Sequence, residues 1–272
     1  ATSFNQDIGN WNVGNGTNFY GMFNGATSFN QDIGNWDVSS GTDFIRMFKD
    51  ALSFDQSIGD WNVGNGTNFQ AMFAISKEFI IDEGYTPIFN QDLSAWDVSS
   101  GTNFAWMFQN QKAFNQDLGD WDVSSGTDFE GMFLKADLFN SDLGDWDVSS
   151  GEDFSGMFYN ASSFNQDIGG WDVSSGTDFE SMFDSSYCDL ATAGTSSFNQ
   201  DLSNWDVSSG TNFREMFDNA TAFDSDLSDW DVSSAINFVE MFRDTSSFDQ
   251  DLSVWNVNSA TDLVETEEGD IE

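Results

Sequence analysis

Read for its apolar positions alone, the chain repeats one phrase. Phe114, Leu118, Trp121 and Val123 open it, and Phe129, Met132, Phe133 and Ala136 close it. Tryptophan marks the period. Trp11, Trp36, Trp61, Trp96, Trp121, Trp146, Trp171, Trp205, Trp230 and Trp255 stand 25 residues apart, except across two longer intervals. Two shorter patterns sit inside each unit. Leu118, Trp121 and Val123 follow L-x-x-L-x-L, whose last positions alternate and predict a short parallel strand. Phe129, Met132, Phe133 and Ala136 fall at i, i+3, i+4 and i+7, which predicts one face of a two-turn helix. Thr127 stands where that helix needs an N-cap, and Asp128 adds favourable charge to its first turn. A turn at Ser124–Gly126 would join the two elements, and a Phe-Asn-Gln-Asp loop would lead into the next unit.

Neither element is long enough to stand alone, since isolated helices below about 12 residues are marginal in water. Stacking is the expected source of stability, each unit burying its apolar face on the next. The expected fold is therefore an α/β repeat solenoid of about ten 25-residue coils, each with a short parallel β-strand and a short helix. It would form a single body over residues 1–264, followed by an acidic tail at 265–272. The first residues are in phase with the repeat: Ala1-Thr2-Ser3-Phe4 matches Ala26-Thr27-Ser28-Phe29. The array is thus expected to begin mid-pattern, as a mature fragment or as part of a longer protein.

Insertions lengthen two units, near 75–88 and 184–197. Both follow the Met-Phe pair and lie four repeats apart, so they should emerge on one edge, about 19 Å apart at one strand spacing per coil. The first carries Phe79, Ile80, Ile81 and Tyr85; the second, around Tyr187 and Cys188, is more polar. Insertions of this kind often line a binding face. Phe79 and Tyr85 are accordingly candidate partner contacts, with plain surface loops as the other reading. Trp106 joins them, because it fills a position held in most other units by Gly, Ser or Glu.

Units of the form F-N-Q-D-[IL]-x-x-W-D-V-S-x-x-T-[DN]-F-x-x-M-F resemble the BspA-like leucine-rich repeats, which include mycoplasma surface-protein repeats. The resemblance covers nearly the whole chain. It implies a leucine-rich-repeat-like solenoid on secreted or cell-surface proteins, used in adhesion, with no catalytic residues to carry over. One departure stands out. Glycines such as Gly101, Gly126 and Gly151 precede Thr or Glu where the family usually has Val, and Phe stands where it usually has Met. A larger ring beside a smaller residue implies compensated packing.

Charge changes the picture most. Seven basic residues face 47 acidic ones, for a net charge of −40. Phosphate recognition needs Lys and Arg, so nucleic acid is excluded as a partner, as are anionic membrane surfaces. Such self-repulsion calls for screening cations and points to seawater, brine or a calcium-rich extracellular setting, the other reading being a merely soluble acidic protein. The 29 Phe and 11 Trp argue against disorder, because they supply ample core. Arg46, Lys49, Lys77, Lys112, Lys135, Arg214 and Arg243 all fall in the predicted helix, just after it, or in an insertion. The predicted strand side is left wholly acidic, a face suited to a basic partner.

The acids recur in register. Asp97, Asp122, Asp147, Asp172, Asp206 and Asp231 each follow a Trp of the repeat. Strands stack about 4.8 Å apart and like charges opposite one another are destabilising, so a cation is expected near this column. Oxygen ligands alone suit Ca2+ better than a transition metal. Two readings stand: specific Ca2+ sites on these aspartates, or a solvated face with diffuse counter-ions. No cofactor is otherwise indicated.

Every candidate acid is duplicated by the repeat and His is absent. No single catalytic constellation stands out, and an enzyme is not expected. The expected function is a noncatalytic extracellular or cell-surface scaffold for adhesion or protein interaction, with a protein or glycan partner. The alternative is a self-assembling subunit of a fibre, sheath or surface layer, bridged by cations.

Overall fold

The structure is a computed structural model, and it describes residues 1–76, 86–186 and 196–263. Consecutive units stack in register as coils. The expected strand and helix are both absent: among the described residues there is no helix, and the only pairing is an isolated parallel bridge at one position per coil. That position runs Asn18, Asp43, Asn68, Asn103, Asp128, Asp153, Asp178, Asn212, Asn237 and Asp262.

Where the helix was expected, the chain makes a run of tight turns of alternating hand. Gly131 and Lys135 have φ of 54° and 56°, left-handed values that no right-handed helix contains. Met132, Leu134 and Ala136 donate their N–H groups to the carbonyls of Phe129, Gly131 and Phe133, at 3.0–3.1 Å. The alternate N–H groups leave the coil altogether. Those of Phe129, Gly131, Phe133 and Lys135 reach Asp153, Ser155, Met157 and Tyr159 of the next coil at 2.7–2.9 Å. A helix would have kept these donors for itself. Here they form the coil-to-coil ladder, and it offsets the steric cost of left-handed residues, about 1–2 kcal/mol each. The spacing i, i+3, i+4, i+7 still places Phe129, Met132, Phe133 and Ala136 inside, where all four are fully buried.

The expected strand gives way to turns as well. Trp121 N–H bonds Leu118 O at 3.1 Å and Gly126 N–H bonds Val123 O at 2.7 Å. Between them, Asp117 and Asp122 accept N–H bonds from Gly119 and Ser124, each two residues on. Bends this frequent leave no run of backbone free for a strand. Alternation in the sequence reported burial, since Leu118, Trp121 and Val123 are all inside.

Thr127 caps nothing. Its N–H and Oγ1 both donate backwards to Thr102 O, at 2.9 and 3.2 Å. Each coil is thus bonded forwards by its Phe segment and backwards by its Thr. Asparagine adds a third connection, the side-chain oxygens of Asn90, Asn115 and Asn140 each accepting an N–H of the following coil at 2.9 Å.

One apolar core runs from Ile8 to Met241. Its rings form columns: Phe104, Phe129, Phe154 and Phe179 stack at 5.6–5.7 Å, and Trp96 on Trp121 at 6.4 Å. Each such ring contact adds about 0.5–1.5 kcal/mol beyond its buried area. The buried indoles are satisfied, as Trp121 Nε1 donates to Leu93 O in the coil before at 3.0 Å. Compensation between Gly and Phe is direct. A Cβ on Gly126 would lie 2.5 Å from the tip of the Phe129 ring, so the ring takes the space that Val would need. Longer units do not disturb this register: Phe69 N–H still bonds Asn103 O, and Phe179 N–H bonds Asn212 O, both at 2.9 Å.

Candidate functional site

Two acidic columns run along the stack, and they are built differently. Asp97, Asp122, Asp147, Asp172, Asp206 and Asp231 are exposed. Each folds its carboxylate back onto its own chain, where Oδ1 accepts the N–H of the Ser two residues later at 3.0–3.1 Å. In the first four, the Ser hydroxyl also donates, at 2.6 Å. The Ser hydroxyl first, and the Ser amide second, hold Asp97, Asp122, Asp172 and Asp231 below the usual carboxylate range. These aspartates do not converge on a shared point. Among the described residues, the one group of acids whose oxygens lie within 4.8 Å of one another is Asp128, Glu130 and Asp153.

That group belongs to the bridging column. Along most of the stack this column carries Asn beside Asp or beside another Asn, and Asn18 Nδ2 donates to Asp43 Oδ2 at 2.8 Å. Between Asn103 and Asn212 it reads Asp128, Asp153, Asp178 without interruption. Asn103 Nδ2 bonds Asp128 Oδ2 at 2.6 Å and Asn212 Nδ2 bonds Asp178 Oδ2 at 3.2 Å. The central Asp153 is held by the N–H and hydroxyl of Ser155, at 2.9 and 2.6 Å. Glu130 and Glu180 add two carboxylates from the next position but one. Burial, then Asp153, Asp128, Asp178 and Glu180, push Glu130 up to about 7. Asp128 is raised too, chiefly by burial.

Glu130, Asp153, Asp178 and Glu180 line an open hollow of about 390 Å³ together with Trp106, Leu134 and Tyr159. Trp106 is half-buried and has a φ of 55°. Its indole lies against Gly131, where a Cβ would come 2.5 Å from Trp106 Cδ1. Tyr159 is fixed by its hydroxyl, which donates to Ser186 O at 2.8 Å, and the Lys135 ammonium stands 5.5 Å above its ring. Phe79 and Tyr85, the other expected partner contacts, lie outside the described residues, as do Tyr187, Cys188 and the acidic tail from 265 onwards.

Trp106, expected as an exposed anchor, is half-buried and lines the hollow; its acidic neighbours were missed. Their signal was the run of three Asp after Thr or Glu in consecutive units, against Asn on both sides. A fully buried acid elsewhere, Asp184, is also pushed up to about 7, by burial above all, despite accepting from Ser186. Among the described residues no helix is long and apolar enough to cross a membrane.

No curated protein matches the chain. A family model described as "Mycoplasma protein of unknown function, DUF285" matches it three times, over residues 1–85, 83–189 and 189–268. Those matches take in the stacked coils, both acidic columns and the hollow, and the chain belongs to this mycoplasma-type repeat family of unknown function.

Proposed function

We propose that the chain is a noncatalytic scaffold, working at the cell surface or outside the cell, that holds a protein or glycan partner along its side. The observation carrying this reading is the repetition itself. The same acids stand at the same place on coil after coil, so recognition is spread along the stack. The BspA-like resemblance supports the adhesive, surface setting. A basic partner suits the acidic side, and electrostatic steering would speed its approach.

Protease treatment of intact cells tests the location: the chain should be clipped while a cytosolic marker survives, and full protection would reject a surface role. Immobilised chain probed with protein and glycan panels tests the scaffold. Binding should weaken as salt rises, and weaken further when Asp97, Asp122, Asp147 and Asp172 are changed to Asn. Salt-independent capture that ignores those changes would remove the acidic face from the function.

A second reading, self-assembly into a fibre or layer, draws on the ladder. A described coil offers backbone donors to the coil after it, through its Phe segment, and to the coil before it, through its Thr. Electron microscopy of concentrated protein would show filaments, whereas a monodisperse solution would end that reading.

A further inference from the structure

The hollow across the fourth to seventh coils has a chemistry of its own. Acids line it together with an indole, a Leu and a phenol. Gly131 and Gly156 also line it, both at positive φ. That conformation does not demand glycine, since Arg46, Trp106 and Glu215 adopt it in other coils. A side chain at Gly156 would meet nothing closer than 3.8 Å. Gly156 therefore leaves open a space that a side chain fills in other coils, while the Trp106 indole covers the matching place at Gly131.

The acids select a cation, because four carboxylates line the hollow and the guanidinium near them, Arg214, stands 3.9 Å from Glu180, which leaves the site negative. The apolar lining selects an organic one. Bare Ca2+ seeks six to eight oxygens, and an indole and a Leu supply none. An alkyl chain ending in ammonium satisfies both kinds of lining, its methylenes lying on apolar surface and its charge over a ring or against a carboxylate. The chain already makes such a contact at the rim, where Lys135 stands over Tyr159. The spacing selects a polycation. Of the hollow's acids, Asp153 and Asp178 stand one coil apart, and a spacing of about 5 Å between stacked chains matches ammonium groups joined by three or four carbons.

We propose that this hollow binds a linear aliphatic polyamine, its ammonium groups against Glu130, Asp153, Asp178 and Glu180 and its methylenes over Trp106 and Leu134. This site stands apart from the scaffold reading and does not depend on where the chain resides.

Calorimetric titration with spermidine at fixed ionic strength tests it. The wild-type chain should show one saturable site. Trp106→Ala should weaken binding roughly tenfold, the upper range for a desolvated cation over an indole. Glu130→Gln with Asp153→Asn should weaken it at least as much. Asp97→Asn with Asp122→Asn removes the same formal charge from the exposed column and should change affinity less than about twofold. Trp106→Phe keeps a ring and should hold affinity within about threefold, which separates loss of the platform from loss of the fold. Equal losses from the two Asn-containing pairs would mean diffuse counter-ions and overturn the proposal. So would unchanged binding in Trp106→Ala, or displacement of spermidine by Ca2+ alone at equal charge concentration.

Discussion

Asp122 and Asp128 are six residues apart in one coil, belong to columns of the same spacing, and behave oppositely. Asp122 is exposed, spends its carboxylate on the hydroxyl and amide of Ser124, and is held below the usual range. Asp128 sits half-buried at the bridging position, beside Asp153 and Glu130, and is raised. Repetition of an acid therefore does not by itself make a cation site. What matters is whether the side chain is consumed by its own turn or left facing the same residue one coil away.

The largest expected effect comes from removing the support both columns share. Phe133→Ala opens the ring column beneath them and should cost about 3–5 kcal/mol, read by chemical denaturation. A loss no larger than that of a surface change would mean the columns do not rest on the stacked rings.

Next is the half-buried column. Below pH 4.5 Glu130 is protonated folded and unfolded, and costs nothing. Between there and about 7 the unfolded chain ionises first, so stability falls as pH rises. Asp184 acts in the same direction from 3.8 to about 7. Glu130→Gln should therefore raise the melting temperature at pH 8 and leave it nearly unchanged at pH 4. Equal shifts at both pH values would separate Glu130 from the coupled acids.

The smallest effect belongs to the exposed column, with the sign reversed. Asp122 contributes stability above 3.8 that is lost as pH falls through its lowered value. Ser124→Ala removes the first cause of that lowering. Its Asp122 carboxyl should titrate closer to the usual range by NMR, and an unmoved titration would show that the Ser124 amide alone holds it.

Much of this was legible in the sequence. The period, the buried set and the register of the acids follow from counting between tryptophans. The elements were misread for a physical reason. Phe129, Met132, Phe133 and Ala136 are what a helix would bury, yet a four-residue alternation of turn hand buries the same residues. The distinguishing mark is left-handed backbone, which here falls on Arg46, Trp106 and Glu215 as well as on glycines, so composition did not announce it. Thr127 was similarly ambiguous, because a hydroxyl that can cap a helix can equally reach a carbonyl one coil away. Of the candidate site, Trp106 was readable from its departure from the repeat. Glu130 was not, because its importance depends on Asp153 and Glu180 being brought beside it by the stack.

The ladder has a mechanical consequence. The donors of Phe129, Gly131, Phe133 and Lys135 cross to the following coil, so pulling the chain's ends apart loads these bonds along their length, a few at a time. Such a body yields by unzipping, one coil after another, each release paying out about 80 Å of slack for 25 residues of contour. Force-extension traces would show evenly spaced low steps in place of a single rupture. Under tension the protein would be an extensible tether, lengthening stepwise while its remaining coils keep their register.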